Sequence, residues 1–351
     1  MKNVMFILDG FAYEYVENDA FAELKDFLQF IIPMKPSAGW SSKPVLFTGN
    51  GPRTNDLFTQ YWLSENSQFK WLKINRRIWL PPMFSAFFTG FFRKLLSYKI
   101  LPNTRIPLNA LQYFDVSDGY VNALKIKQPV GLEKEELKIV YTKIVDRAGH
   151  LYGTQSTETC TAIEKVSEII RTTLNVGNFD NLFVVGDHGM CDIKKKIDIV
   201  PALDSTGLKF GKDLLYFIDS TMIRFWFVSE HSKEVVTEVL EGFKKFGKII
   251  GTKDAKELDI NFGHKRYGEL VFWLNDGVVF KPSFYHRWTF TGARKNEGMH
   301  GYLGDRTVFA VASKRGLQFK RAKEAEMTSF YPTVMETLGK EYKCEGKSLL
   351  R

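Results

Sequence analysis

Short apolar runs alternate with segments of helical periodicity along most of the chain. The runs at residues 2–8, 137–145 and 181–186 are rich in Val, Ile, Leu and Phe, as is typical of buried strands. Residues 18–31 and 155–174 carry apolar positions at helical spacing. Strands that alternate with helices favour a mostly parallel sheet covered on both faces. The sequence therefore predicts the α/β class, an α/β/α sandwich around a mostly parallel central sheet.

The second half of the chain continues this pattern and suggests inserted segments. The elements predicted there are a strand at 221–228, a helix at 232–246, strands near 247–251 and 269–275, a strand at 307–311 and a closing helix at 327–338. We expect the α/β core to comprise residues 1–230 and 265–351. A small αβ insertion is expected at 231–264, and a second insertion at 66–114, where prolines and a glycine interrupt the pattern.

Carboxylate and imidazole side chains follow the predicted strands. The six candidate metal ligands are Asp9, Asp146, His150, Asp187, His188 and His300. Each of these residues alone would be an ordinary polar turn residue. Because the carboxyl ends of parallel strands meet at one edge of a sheet, however, we expect the six side chains to lie close together. Three Asp and three His are enough for two divalent ions with nitrogen and oxygen ligands. We expect Asp146 and His150 to leave their strand in a turn that lets both reach one ion.

A hydroxyl nucleophile is expected near the start of a short helix. The pattern of residues 43–49 predicts this helix, which ends at Gly49. Ser37, Ser41 and Ser42 lie near its start, and all three are candidates. Two metal ions and a serine together are the apparatus of phosphoryl or sulfuryl transfer.

The order of these motifs resembles that of the alkaline phosphatase superfamily. The motifs are strand-Asp-Gly, a serine near Thr-Gly, Asp-x-x-x-His, Asp-His-Gly-Met and His-Gly-Tyr, and they look most like the nucleotide pyrophosphatase/phosphodiesterase branch. The resemblance implies an alkaline-phosphatase-like fold with inserted cap segments. It also implies two zinc ions, with manganese or magnesium as alternatives. It assigns one ion to Asp146, His150 and His300, and the other to Asp9, Asp187, His188 and the nucleophile.

The nucleophile motif departs from that branch. Its diesterases carry Thr-Phe-Pro-Asn nine residues before the Thr of Thr-Gly, and counting back from Thr48 reaches Gly39, which has no hydroxyl. Ser41 is the expected replacement and an expected metal ligand, with Ser37 and Ser42 as alternatives. Ser42 aligns with the Asn that contacts the phosphoryl group in the family, so we expect it to contact substrate.

These features predict a metal-dependent hydrolase of phosphoric esters. We expect a phosphodiesterase in which Ser41 attacks phosphorus and water then cleaves the phosphoserine intermediate. The alternatives are a phosphomonoesterase, a phosphoryl or phosphoglycerol transferase and, in another class, a non-catalytic metal-containing binding protein. The sulfatase branch is disfavoured because its Cys/Ser-x-Pro-x-Arg signature is absent.

The charge of the chain is unevenly distributed. The formal net charge is +9, and residues 66–114 hold eight Lys or Arg, eleven aromatic residues and no Asp or Glu. We expect this segment to form a lid over the site, in contact with a large anionic or lipid-like substrate. The alternative is that its aromatic residues pack as a small separate core against the main sheet. A secondary form of the lid hypothesis is that the segment contacts a membrane surface.

Other features narrow the substrate and the location. His286 lies among aromatic residues and is a candidate substrate contact. A nucleic acid partner is disfavoured because no recognised binding motif accompanies the basic segment. The three cysteines are widely spaced and do not suggest a disulfide framework. The absence of a leader pattern and of a long apolar run predicts a cytoplasmic protein, peripheral to a membrane at most. Nothing in the sequence indicates an oligomeric state.

Overall fold

The computed structural model describes residues 3–65, 67, 106, 108–176, 179–285 and 297–351. The chain forms two compact units. The first unit consists of Met1–Leu57, Asn122–Ile193 and Arg294–Arg351, and the second of Phe58–Val121 and Lys194–Ala293. The domain division expected from the sequence used other boundaries and stays a prediction. Most of the predicted insertion at 66–114, with its aromatic cluster, lies outside the described residues, as does His286.

Strands and helices are numbered in chain order over the described residues. The strands are β1 (Asn3–Leu8), β2 (Phe30–Lys35), β3 (Tyr61–Leu63), β4 (Phe114–Val116), β5 (Lys138–Thr142), β6 (Asn181–Gly186), β7 (Cys191–Asp192), β8 (Lys195–Ile197), β9 (Leu214–Ile218), β10 (Met222–Phe227), β11 (Gly247–Ile249), β12 (Leu270–Leu274), β13 (Val278–Phe280), β14 (Gly298–Met299), β15 (Thr307–Ser313) and β16 (Ala325–Glu326). The helices are α1 (Asp19–Ala22), α2 (Ser42–Thr48), α3 (Leu108–Leu111), α4 (Asp118–Lys125), α5 (Ile144–Tyr152), α6 (Thr157–Val176), α7 (Val200–Ser205), α8 (Glu230–Gly242), α9 (Thr252–Glu257) and α10 (Phe330–Thr337).

A six-stranded sheet forms the centre of the first unit. Its strand order is β16-β2-β15-β6-β1-β5, and β15 alone runs antiparallel to its neighbours. In the register of the three strands at one side, Leu8 lies opposite both Thr142 and Gly186. The carboxyl ends of β1, β5 and β6 are therefore level, and the residues that follow them emerge at one edge of the sheet.

Helices cover both faces of this sheet, which confirms the predicted α/β/α class. Val4, Phe6 and Leu8 pack in one apolar cluster, whereas Met5 and Ile7 pack in another on the opposite face. The first cluster includes residues of α5 and α6, and the second includes residues of α2 and α10. Because both of its faces are buried, β1 is a continuous apolar run without alternation.

Two local predictions were wrong. Residues 18–31 do not form one helix: α1 ends at Ala22, a 3-10 turn covers Lys25–Phe27, and β2 begins at Phe30. Among the apolar residues at helical spacing, Phe21, Leu24 and Leu28 are buried from these short elements, whereas Phe27 is exposed. The predicted strand at 137–145 ends at Thr142, and α5 begins at Ile144.

The second unit contains a four-stranded antiparallel sheet with the order β11-β12-β10-β9. At its centre, Arg224 is fully buried and donates a 2.8 Å hydrogen bond from Nε to Asp219. Its Nη1 donates to the carbonyl oxygens of Tyr61 and Tyr267, at 3.0 and 3.3 Å. Burial raises the pKa of Asp219, and the Arg224 guanidinium opposes that rise. No helix among the described residues is long and apolar enough to cross a membrane.

The C-terminal residues of the chain close against the loop that follows α2. Glu345 accepts hydrogen bonds from the Gly51 N–H at 2.8 Å and from the Thr54 hydroxyl at 2.6 Å. The Gly346 N–H donates to the carbonyl oxygen of Gly49, which ends α2 in the left-handed conformation. These contacts fix the end of the helix at whose start the candidate serines lie.

Candidate metal centre

The first unit brings all six predicted ligands to the carboxyl edge of its sheet. Asp9 follows β1, and Asp187 and His188 follow β6. Asp146 and His150 lie on α5, directly after β5, and not in the turn expected from the sequence. Because they are four residues apart on a helix, both side chains lie on one face, and His150 Nε2 is 3.2 Å from Asp146 Oδ1. The helix thus achieves the pairing for which a turn was predicted.

The carboxylates of Asp9 and Asp187 surround the imidazole of His188. His188 Nε2 lies 3.1 Å from Asp9 Oδ1 and 3.7 Å from Asp187 Oδ1. The Gly10 N–H donates a 3.2 Å hydrogen bond to Asp187 Oδ1. Three strand-end side chains therefore converge on one point.

Hydrogen bonds to backbone carbonyls orient two of the three histidines. His150 Nδ1 is 2.9 Å from the carbonyl oxygen of Gly298, and His188 Nδ1 is 2.9 Å from that of Gly189. A carbonyl can only accept, so each Nδ1 carries the proton and each Nε2 is left to bind a cation. The ring of His300 stacks on that of His188, with centroids 3.6 Å apart and planes at 15°.

A short antiparallel ladder joins the two loops that carry these histidines. β7 pairs with β14, so that Cys191 lies opposite Met299 and Asp192 lies opposite Gly298. β7 follows the Asp187-His188 pair and β14 directly precedes His300. This two-residue ladder holds together candidate ligands that are more than a hundred residues apart in sequence, and the sequence analysis did not predict it.

Two glycines are required where backbone segments meet at the site. Gly10 has φ +70°, and a Cβ there would lie 2.7 Å from the Asp146 Cα. A Cβ on Gly298 would lie 2.6 Å from the carbonyl oxygen of Gly149. Only glycine permits these approaches, so the Asp-Gly that ends β1 has a packing role as well as a turn role.

The electrostatics of the cluster favour a bound cation. Burial raises the pKa of Asp187 to about 7, and the nearby Asp9 and Asp146 charges add to that rise, against His188 and the Gly10 N–H. Burial opposes the protonation of His188, but the Asp187 and Asp9 carboxylates raise its pKa well above the usual value. Asp146 Oδ1 is buried and accepts no hydrogen bond in the described part of the chain. Three crowded carboxylates with an unsatisfied oxygen are the surroundings that a divalent cation stabilises.

The ligand atoms fall into two overlapping groups. Asp9, Asp187 and His188 form one, and Asp146, His188 and His300 form the other, with the atoms of each group within 4.8 Å of one another. The first group matches the protein ligands expected for one ion. The second contains Asp146 and His300, as expected, with His188 in the place of His150. Imidazole and carboxylate donors of this kind fit zinc, and also manganese.

The candidate serines lie at the start of α2. Ser41 is the N-terminal cap residue of the helix and is fully buried, and its hydroxyl donates a 2.7 Å hydrogen bond to the carbonyl oxygen of Ala38. Since that proton is used, the hydrogen bond between the two hydroxyls must be donated by Ser37 to Ser41. Ser37 and Ser42 are half-buried.

Two aromatic residues that the sequence analysis did not single out border the ligands. The hydroxyl of Tyr141 donates to Asp9 Oδ2, and the side chain is 49% exposed. Trp40 is also exposed, and its ring lies edge-on to His300 with centroids 6.2 Å apart. The sequence contained one signal that could have identified Tyr141 as a neighbour of the site: it immediately precedes the last residue of a strand whose end carries candidate ligands.

The geometry can now be compared with known proteins. The chain matches the type I phosphodiesterase/nucleotide pyrophosphatase family over residues 3–303. It belongs to this family. Members are hydrolases that act on phosphoric esters, so the predicted enzyme class and the resemblance to the nucleotide pyrophosphatase/phosphodiesterase branch are confirmed.

Solved structures of this family share the fold. Human ectonucleotide pyrophosphatase/phosphodiesterase 5 superposes with a TM-score of 0.62 at 14% identity, over 100% of both chains. The murine protein of the same name gives a TM-score of 0.60 at 15% identity, over 100% of both chains. An inactive variant of the murine protein in complex with AMP gives the same TM-score, identity and coverage. At this identity the likeness establishes the fold, including the mostly parallel sheet.

Proposed function

We propose that the chain is a two-metal phosphodiesterase that works through a phosphoserine intermediate. The observation that supports this most is the convergence of Asp9, Asp146, Asp187 and the three histidines at one edge of the sheet, in a chain of a phosphodiesterase family. Family membership supports ester hydrolysis. The pair of metal ions and the covalent intermediate are the new content of the proposal.

In the proposed site, the side chains divide between two cations. Asp146, His150 and His300 hold one, and Asp9, Asp187 and His188 hold the other. When bound, such cations offset the negative charge of the phosphoryl group and lower the pKa of a nucleophilic hydroxyl. The imidazoles of His150 and His188 keep their Nδ1 protons on backbone carbonyls, so their Nε2 atoms stay aimed inward throughout the reaction.

Ser41 is the proposed nucleophile. Its oxygen forms a bond to phosphorus while the bond from phosphorus to the leaving oxygen breaks, and the leaving alcohol departs. Water then breaks the bond between phosphorus and the Ser41 oxygen, which restores the hydroxyl and releases the retained part of the substrate as a phosphomonoester. Ser42 is the proposed substrate contact, and His286 is a second one. Ser41 is buried and bonded to Ser37, so the two half-buried serines must be tested beside it.

Three single alanine variants test the nucleophile. Ser41→Ala should lower turnover of bis(p-nitrophenyl) phosphate by several orders of magnitude, because covalent catalysis is removed and not merely weakened. Ser37→Ala and Ser42→Ala should retain a burst of p-nitrophenol and a phosphoserine detectable by mass spectrometry. If Ser41→Ala keeps the burst and one of the other variants loses it, Ser41 is not the nucleophile.

Metal content and substrate scope are tested separately. We expect close to two equivalents of zinc in protein purified without chelator, and loss of activity on chelation. Phosphodiesters should be cleaved faster than phosphomonoesters, and a phosphodiester that gives no burst with any metal would favour a binding protein. A lipid-like substrate, contact with a membrane surface and a cytoplasmic location stay predictions.

A further inference from the structure

A short loop connects His300 to the next strand of the central sheet. It begins directly after β14, which ends at Met299, and leads into β15 at Thr307. The loop contains Gly301 and Gly304, and Gly301 has φ +89°. Because glycine restricts the backbone less than any other residue, this loop would sample many conformations without further contacts. A candidate ligand at its start therefore needs support from elsewhere in the structure.

The carboxylate of Asp305 supplies contacts of this kind. Asp305 Oδ2 accepts hydrogen bonds from the Gly301 N–H at 2.6 Å and from the Tyr302 N–H at 3.1 Å. Two successive N–H groups that point at one anionic oxygen form an anion-binding concavity, and such bonds are stronger than those between neutral groups. Asp305 is only 7% exposed, so water competes little for them. One buried charge thus fixes the two residues that follow His300.

The far end of the loop is anchored on the segment that carries His188. The carbonyl oxygen of Arg306 accepts a 3.0 Å hydrogen bond from the Tyr13 N–H. A Cβ on Gly189 would lie 2.7 Å from that same oxygen, so the two backbone segments pass close together. Arg306 Nη1 also donates to the carbonyl oxygen of Asp305, at 2.8 Å. Asp305 therefore links the backbone after His300 to a fixed point of the first unit.

The position of His300 matters for one of the two groups of ligand atoms. Its imidazole stacks on that of His188, and its Nε2 lies 4.0 Å from Asp146 Oδ1. Only the group that contains Asp146 includes His300. Because ligand distances must hold to within about 0.2 Å, a small shift of the loop would remove His300 from this group. The group of Asp9, Asp187 and His188 would stay complete.

We infer that Asp305 is a positioning residue, which holds the backbone after His300 and so keeps its imidazole within reach of one cation. The inference rests on the proposed function, because it concerns one of the two proposed cations. Asp305 contributes no ligand atom to either group, so its role differs from that of the six candidate ligands. The alternative is a role in the turn alone, which predicts lower stability without a selective effect on either cation.

The experiment measures the two zinc affinities of the protein by competition with a chromophoric chelator. Asp305→Ala should weaken the binding of one zinc equivalent by about 10–100-fold, as is typical when the support of a ligand is lost, and leave the other unchanged. Asp305→Asn should weaken it less, because its carbonyl oxygen can still accept both N–H groups, although without the charge. His300→Ala identifies the affected equivalent. Adding Asp305→Ala to His300→Ala should cause little further loss, because the two residues act through one ligand.

Glu136→Ala is the matched control. Glu136 belongs to the same unit and also accepts a backbone hydrogen bond, from the Glu133 N–H at 2.8 Å. It precedes β5, so it lies at the edge of the sheet opposite the candidate ligands. Its replacement should leave both zinc affinities unchanged. The inference would be overturned by equal weakening of both equivalents in Asp305→Ala, by no weakening, or by full additivity with His300→Ala.

Amide exchange in the metal-free protein separates this inference from the proposed function. In Asp305→Ala, the amides of Gly301 and Tyr302 should exchange about tenfold faster than in the wild type, because their acceptor is gone. If the wild type binds fewer than two equivalents of zinc, the proposed function fails, and the exchange rates still decide whether Asp305 holds the loop. Unchanged exchange at both amides would overturn the inference in either case.

Discussion

Replacing Gly10 by alanine should damage the metal centre more than the fold. The residue has φ +70°, and a non-glycine residue in this region costs about 1–2 kcal/mol. The added Cβ would also lie 2.7 Å from the Asp146 Cα and 2.8 Å from its Cβ. Since carbon atoms in good contact are about 3.5–4.0 Å apart, the two segments must separate by roughly 1 Å.

A displacement of that size exceeds what a metal site tolerates. Ligand distances hold to within about 0.2 Å of their ideal values, so a shift of Asp146 moves one carboxylate out of range. We expect Gly10→Ala to lower zinc affinity by at least the roughly 10–100-fold that lost support of a ligand typically costs. Competition with a chromophoric chelator measures this affinity directly, without reference to turnover.

Gly339→Ala is the matched control. Gly339 belongs to the same unit and has φ +68°, but an added Cβ would meet no atom within 4 Å. The strained backbone should cost both variants about 1–2 kcal/mol of unfolding free energy, as measured by urea unfolding in the presence of chelator. The forced separation from Asp146 should add to that loss in Gly10→Ala. Only Gly10→Ala should lose zinc affinity. Wild-type affinity in Gly10→Ala, or equal losses in both variants, would refute the reasoning.

Three further predictions concern a ligand's support, a buried ion pair and the C-terminal contacts. Tyr141→Phe removes the hydroxyl that bonds Asp9 and should weaken zinc binding by about 10–100-fold in the same chelator assay, with little change in the melting temperature. Arg224→Ala leaves the buried Asp219 carboxyl uncompensated and should cost about 3–5 kcal/mol in urea unfolding, whereas replacing both residues by apolar ones should recover most of that loss. The hydrogen bonds from the Thr54 hydroxyl and the Gly51 N–H lower the pKa of Glu345 in the folded protein, against a smaller effect of burial. The stability that Glu345 contributes is therefore full above its unfolded pKa of about 4.3 and lost as the pH falls through the lower folded value. The melting temperature of Glu345→Gln should accordingly fall less steeply than that of the wild type below about pH 4.3.

The pattern of the sequence was sufficient to predict the central sheet and the edge at which the candidate ligands lie. β1 and β6 are buried strands rich in apolar residues, and each is followed directly by Asp. The level carboxyl ends of parallel strands then place Asp9 and Asp187 together. This argument needs only local periodicity and the geometry of parallel strands, so it could be made without a structure.

The features that were missed depend on contacts between distant segments. The helix at residues 18–31 was predicted from spacing alone, but the pairing of β2 with β15 draws Phe30 onward into the sheet. Similarly, the Gly298 carbonyl that orients His150 comes from a loop about 150 residues away. Local periodicity does not encode such partners, because they are fixed by tertiary packing.

The position of β15 in the sheet affects how the chain folds while it is synthesised on the ribosome. Among the described residues, β2 pairs only with β15 and β16, which are made roughly 270 residues later. At translation rates of about 5–20 residues per second, β2 waits roughly 15–55 seconds without a sheet partner. During that time, the apolar side chains of β2 and its unpaired backbone N–H and C=O groups are exposed to other nascent chains. Molecules that stop before Thr307 should therefore aggregate rather than fold partially, and folding yield should depend on how quickly synthesis reaches the last fifty residues.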